Sequence, residues 1–202
     1  MYRYGPTSAL IVVDVQNDFA DPDGSLSVPA AAAVVAAVNR EIGAALDRGA
    51  TIIATQDWHP DVTPHFAKDG GPWPVHCVGG TWGAELDPSL DFPESAPRVR
   101  KGANGEDGYS GFTMRDPVTG TTSPTELEQL LRSAGVDAVA VVGLATDYCI
   151  KATALDAVRF GFRTTVLTDA IAAVDLEPGD GERALEELVA AGVELVDAAP
   201  TP

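Results

Sequence analysis

Cysteine occurs only twice in the 202 residues, at Cys77 and Cys149. Two are too few for a disulfide framework, and in a reducing compartment both should be free thiols. Long apolar runs are missing: MYRYGPTSALIVVD at the amino end is too short for a span or a secretory leader. The expectation is therefore a cytoplasmic protein without a membrane partner. Positive charge is scarce, with 13 Lys and Arg against 30 Asp and Glu, a net charge of −17. Such a field repels phosphate backbones and removes nucleic acid from the expected partners. No repeat, heptad or low-complexity tract interrupts the chain. What is left is ordinary for a globular protein, 45% hydrophobic and 21% charged. The length suits a single domain, 1–202, that buries about 70% of its unfolded surface. Monomer and homo-oligomer both stay open.

Strand and helix patterns alternate. SALIVV at 8–13 is a continuous apolar run, the mark of a strand buried on both faces. Residues 29–47 set Val35, Val38, Ile42 and Leu46 at helical spacing, with Pro29 early in the helix and Gly49 just past its end. TIIAT at 51–55 reads as a second strand and APRVRK at 96–101 as a weaker third. Ser123-Pro-Thr-Glu126 has capping-box spacing and opens a helix through Leu127, Leu130 and Leu131 that Gly135 closes. A fourth strand is expected over 138–142, a helix from about Tyr148 to Phe160, and a fifth strand over 164–167. Asp180 caps a last helix ending at Gly192, and VELV at 193–196 is a short final strand. This order predicts right-handed crossovers and a three-layer α/β/α sandwich with a mainly parallel sheet of about six strands. Residues 56–96 carry no sustained period, and a loop that long is functional or a misassignment.

All three histidines of the chain, His59, His65 and His76, fall in that stretch, with Asp57 two residues before the first. Side chains two apart share a face of an extended strand end. Imidazole nitrogen with carboxylate oxygen suits a divalent ion such as zinc, iron or manganese, the alternative being loop histidines with no ligand. In open α/β sheets, sites gather at the carboxyl ends of the strands. The first four strands end at Asp14, at Gln56-Asp57, at Lys101 and, through GLATDY, at Cys149. At a helix start Cys149 is a candidate nucleophile whose thiolate the helix dipole favours, or else a small buried apolar residue. Lys101 is notable because ten of the 13 basic residues are Arg; it is a compact cation beside a thiolate or a solvated surface amine. Asp14, at the edge of the core, is a proton acceptor and donor or a turn cap, with Asp18 the rival acid nearby.

The segments DVQNDF (14–19), TQDWHP (55–60), HF (65–66), WPVHC (73–77), RKG (100–102), YSGF (109–112) and GLATDYC (143–149) resemble the nicotinamidases of the isochorismatase-like cysteine hydrolases. The resemblance spans nearly the whole chain in order. DVQNDF and GLATDYC mark the superfamily, and the Asp-x-His and two-His cluster is narrower. The GANGEDG stretch between Lys101 and Tyr109 matches no fixed family pattern. The resemblance implies a catalytic triad of Asp14, Lys101 and Cys149, and an oxyanion hole from the backbone of Ala145 and Cys149 at a cis Leu144–Ala145 bond. It also implies a metal, zinc first with iron or manganese as alternatives, among Asp57, His59, His65 and His76. Phe19, Trp73 and Tyr109 would border a nicotinamide substrate, and pyrazinamide could also be accepted. Rival readings are another hydrolase of the superfamily, acting on an N-carbamoyl compound or an isochorismate-like ether; a non-catalytic metal-binding protein; and a thiol sensor.

Overall fold

The structure, a computed structural model, describes residues 2–197. In chain order it contains β1 (Ser8–Val13), α1 (Asn17–Ala20), α2 (Ala31–Asp47), β2 (Thr51–Asp57), β3 (Arg98–Lys101), β4 (Thr113–Arg115), β5 (Thr122–Pro124) and α3 (Leu127–Ser133). Then follow β6 (Ala138–Leu144), a π-helical turn (Thr146–Ile150), α4 (Lys151–Arg159), β7 (Arg163–Ala172), α5 (Asp180–Ala190) and β8 (Glu194–Val196). Six parallel strands form one sheet in the order β3-β2-β1-β6-β7-β8.

Every residue of β1 and β6 is buried, which explains their unbroken apolar runs: a parallel strand covered on both faces has no solvent side to alternate towards. Period two instead sorts the side chains between two cores. Leu10, Val12, Ala140 and Val142 pack with Val34, Val35 and Val38 of α2, while Ile11, Val13, Val139 and Val141 pack with Leu131 of α3, Ala154 of α4 and Leu188 of α5. The three-layer arrangement follows. Among the described residues no helix is long and apolar enough to cross a membrane.

Several local expectations are corrected. Ser123 and Pro124 lie in β5, paired with β4, and not in a capping box. Proline holds the residue before it in extended backbone, so Ser123 joins a strand, and Thr125 Oγ1 accepts the Leu127 N–H at 3.1 Å instead. Pro29 stands outside α2, because Ala30 turns through a left-handed φ of 63° before the helix begins. Gly179, not Asp180, is the cap of α5; the Asp180 carboxylate accepts the Glu177 N–H at 2.9 Å. β2 runs two residues further than the apolar pattern, through Gln56 and Asp57.

Candidate active site

Strand order reverses between β1 and β6, and in doubly wound sheets the crevice at that reversal receives the ligand. Val13 pairs with Thr55 on one side and Gly143 on the other. A Cβ on Gly143 would fall 2.1 Å from the Val13 carbonyl oxygen, so only glycine lets the two strand ends approach here. The chain leaves β1 through Asp14 at φ 50°, a strained setting that costs an aspartate roughly 1–3 kcal/mol. It leaves β6 through Ala145, after a cis Leu144–Ala145 peptide, into the π-turn that carries Cys149. The Ala145 carbonyl accepts from Tyr148 N at 3.2 Å and Ile150 N at 3.0 Å, the latter an i→i+5 bond. The helix expected from Tyr148 therefore opens as a π-turn, a form frequent at functional sites. Asp57 and Lys101 pair in register at the ends of β2 and β3.

These ends bring Asp14, Lys101 and Cys149 together. Lys101 Nζ donates to Asp14 Oδ2 at 2.6 Å and lies 3.7 Å from Cys149 Sγ; it also donates to the Gly108 carbonyl. Thr55 Oγ1 donates to Asp14 Oδ1 at 2.6 Å. Asp14 and Lys101 are wholly buried, so the alternatives of a turn cap and a solvated amine do not fit. Burial pushes the Asp14 carboxyl up, against the pull of the adjacent ammonium. Burial also pushes the Cys149 thiol well up, with Lys101 opposing and Asp14 reinforcing. Cys149 therefore rests as a thiol, and the expected thiolate preference of a helix start is overridden by burial. For Lys101 burial works towards the neutral amine, but Asp14 and Asp57 outweigh it and keep the ammonium charged.

Asp57 faces two ways. Its Oδ1 lies 2.9 Å from Lys101 Nζ but outside hydrogen-bonding direction, while Oδ2 lies 3.8 Å from His59 Nε2 and 3.9 Å from His76 Nε2. Burial would raise its carboxyl, but Lys101 and then His59 hold it below the usual carboxylate range. Gln16 clasps its backbone, donating to Asp57 O at 2.7 Å and accepting from Asp57 N at 2.8 Å. Asp18, the rival acid, serves the loop: its Oδ2 accepts the Cys77 N–H at 2.7 Å, next to His76.

His59, His65 and His76 are buried, and each offers a ring nitrogen within 4.8 Å of the others. The irregular loop is fastened at His59 and His65. His59 N donates to Cys77 O at 2.9 Å, Gly79 N to His59 O at 2.9 Å, and Trp73 N to His65 O at 3.3 Å. Burial lowers His76 to about 4 and lowers His65, so both rings stand neutral with a lone pair to give. Pro74 O takes His76 Nδ1 at 2.8 Å, and Asp107 Oδ1 takes His65 Nδ1 at 2.8 Å. Among the described residues neither ring nitrogen of His59 has a hydrogen-bond partner, although that side chain is wholly buried. An orphaned buried imidazole in a cluster of three histidines fits a bound divalent ion.

The wholly buried Lys101 reaches the Cys149 sulfur, and Cys149, Asp57, His65 and His76 border one cleft. Phe19, Trp73, Tyr109, Ala145 and Cys149 line it, as do Leu26, Val28, Tyr148 and Val174, which the sequence did not single out. Trp73 Nε1 donates to the Tyr109 hydroxyl at 2.8 Å, and Trp73 meets Tyr148 edge-on at 4.9 Å between ring centroids. Thr55 and Asp107 were also missed. A polar residue closing the apolar TIIAT run was a signal for Thr55; nothing local pointed to Asp107.

This arrangement has relatives. The isochorismatase domain family matches residues 8–200. The chain belongs to the isochorismatase family. It is 45% identical over 191 residues to the nicotinamidase/pyrazinamidase of Mycobacterium tuberculosis, covering 93% of this chain and 97% of that protein. It is 39% identical over 206 residues to the nicotinamidase of Escherichia coli, covering 94% of each. Its fold is similar to the crystal structure of pyrazinamidase of Pyrococcus horikoshii in complex with zinc, with a TM-score of 0.85 and 42% identity over 96% of this chain and all of that one.

Proposed function

We propose that the chain is an amidohydrolase that converts nicotinamide and water to nicotinate and ammonia, a step of NAD salvage. The observation that carries the reading is one cleft bordered both by Cys149, whose sulfur the buried Lys101–Asp14 pair attends, and by His65 and His76 of the three-histidine cluster. Similarity to nicotinamidases along nearly all of the chain supports it. Residues 1–202 act as one hydrolase domain with its metal loop between β2 and β3, in a reducing, cytoplasmic setting that keeps the nucleophile a thiol.

Asp14 takes the proton of Cys149, and the thiolate attacks the carboxamide carbon. The negative charge moves to the former carbonyl oxygen, which the backbone N–H groups of Ala145 and Cys149 receive; one such donor is worth about 2.7–4 kcal/mol. The tetrahedral adduct collapses as Asp14 returns its proton to nitrogen, so that ammonia leaves and a thioester remains. A water molecule, deprotonated by Asp14, adds to the thioester, and nicotinate departs as the Cys149 thiol is restored. A carboxyl raised by burial but paired with an ammonium suits a group that accepts and returns a proton near neutrality. Lys101 keeps compensating charge beside Asp14 and the sulfur throughout. His59, His65 and His76, with Asp57 beside them, would hold a divalent ion, for which we propose zinc with iron or manganese as alternatives; when bound it supplies a Lewis-acid anchor for the pyridine nitrogen. Phe19, Trp73 and Tyr109 border the ring, and pyrazinamide, with its own ring nitrogens, should enter the same cleft. Burial pushes the Tyr109 phenol up to about 12, so it stays protonated as a neutral wall.

Ammonia release from nicotinamide, with metal content measured on the same sample, tests the proposal. Turnover that tracks divalent-ion content is expected. Turnover of an N-carbamoyl substrate or a vinyl ether but not of nicotinamide would reassign the substrate within the family, and metal binding without any amidase activity would remove the enzyme reading.

Lys101→Met is a second prediction. Both Asp14 and Cys149 are held down by this ammonium, so both should titrate at higher pH without it. Alkylation of Cys149 at neutral pH should slow at least about tenfold, the effect of one pKa unit. The acid limb of kcat/KM should move to higher pH, since activity is lost as pH falls through the raised Asp14 value. An unchanged alkylation pH profile would take Lys101 out of the mechanism.

A further inference from the structure

We propose that Asp107 is a positioning residue for the metal cluster: it binds His65 through Nδ1 and so presents Nε2 of that ring to the space shared with His59 and His76. This rests on the divalent-ion reading above and adds to it a residue outside the triad and outside the set of candidate ligands.

The contact is directional. An ionised carboxylate has only lone pairs to offer, so the 2.8 Å bond from His65 Nδ1 to Asp107 Oδ1 exists only in the tautomer that carries its hydrogen on Nδ1. That tautomer leaves the Nε2 lone pair free. The three rings are held differently. His76 has the carbonyl of Pro74 behind its Nδ1 at 2.8 Å, His59 has no hydrogen-bond partner on either nitrogen among the described residues, and His65 has a carboxylate acceptor. A carboxylate behind a ligand imidazole fixes its orientation and raises its basicity.

Asp107 is itself held in place. Its N–H donates to Arg115 O at 2.7 Å and its carbonyl accepts from Arg115 N at 2.9 Å, an antiparallel bridge to the end of β4. The Arg115 guanidinium lies 3.9 Å from the second carboxylate oxygen, Oδ2. The GANGEDG stretch therefore has work along its length. Gly102 packs so closely on His59 that a Cβ would fall 2.6 Å from its ring, Asp107 braces His65, and the Gly108 carbonyl accepts from Lys101. The β4–β5 hairpin, unexpected from sequence, is the platform for this brace.

The test measures Zn²⁺ affinity of the full chain by competition with a chromophoric chelator, together with the visible spectrum of the Co²⁺ form. Asp107→Ala should weaken Zn²⁺ binding about 10–100-fold and shift the cobalt bands, while alkylation of Cys149 keeps its rate. Asp107→Asn, whose amide oxygen can still accept from Nδ1, should recover part of the loss. Wild-type affinity with an unchanged cobalt spectrum in Asp107→Ala would overturn the proposal, as would an equal loss in a folded Asp107→Asn. If Asp107→Ala does not fold, Asp107→Ser, too short to reach the ring, replaces it with the same two outcomes. His59→Ala separates the layers. Loss of Zn²⁺ in His59→Ala but not in Asp107→Ala refutes the brace alone, whereas tight Zn²⁺ in both refutes the metal centre itself.

Discussion

Cys149→Ala should fold as the parent does and lose turnover by a factor on the order of 10⁴–10⁶, the scale at which deleting a covalent nucleophile acts. Cys77→Ala should keep kcat within a few-fold. The two thiols are chemically alike but differently placed. Cys149 borders the cleft, 3.7 Å from the Lys101 ammonium. Cys77 is wholly buried with the α2-side core, its sulfur directed to the Gly83 carbonyl. Burial, reinforced by the nearby Asp57 and Asp18 carboxylates, pushes the Cys77 thiol well up and leaves it a poor nucleophile. Mass spectrometry of enzyme quenched during turnover should find the acyl group on Cys149. An adduct on Cys77, or reversed phenotypes of the two variants, would refute the mechanism.

The parts of this molecule that could be read from sequence are those where one physical demand acts on neighbouring residues. Burial on both faces writes itself into β1 and β6 as unbroken apolar runs, and the carboxyl ends of those runs name Asp14 and the approach to Cys149. Residues whose role depends on a distant partner left no such trace. Asp107 and His65 are 42 positions apart, and their bond exists only because the β4–β5 hairpin folds back beside the metal loop. Each strand of that hairpin has three residues and one contains a proline, too little pattern to distinguish from a turn. Tyr148 sits next to Cys149, yet its place in the cleft depends on the π-turn, whose wider winding has no residue signature apart from that of an ordinary helix. The helix-start argument for Cys149 assumed a favoured thiolate, and burial works against it. The sulfur is buried, so the mechanism proposed above draws its activation from Asp14 and Lys101 rather than from the turn alone.

Benzamide should be a very poor substrate of the metal-loaded enzyme, by about 10²-fold or more in kcat/KM relative to nicotinamide. It has the same carboxamide and nearly the same outline, so it can enter the cleft and meet Cys149, but it has no ring nitrogen. The histidine ring stands apart from the thiol: His59, His65 and His76 form one cluster, while Lys101 and Asp14 attend the sulfur. A group so placed orients the ring and leaves the bond-making to the triad, and misplacing a reacting carbon by about 1 Å can itself cost about 10²-fold. Removing the ion with a chelator should therefore depress nicotinamide turnover towards the benzamide rate and leave benzamide turnover nearly unchanged. Alkylation of Cys149 should persist, because Asp14 and Lys101 remain in place. Restoring Zn²⁺ should restore the preference for nicotinamide. Comparable rates on the two amides with metal bound would make the ion structural, and loss of alkylation on chelation would mean that the histidine loop holds the triad together rather than the substrate.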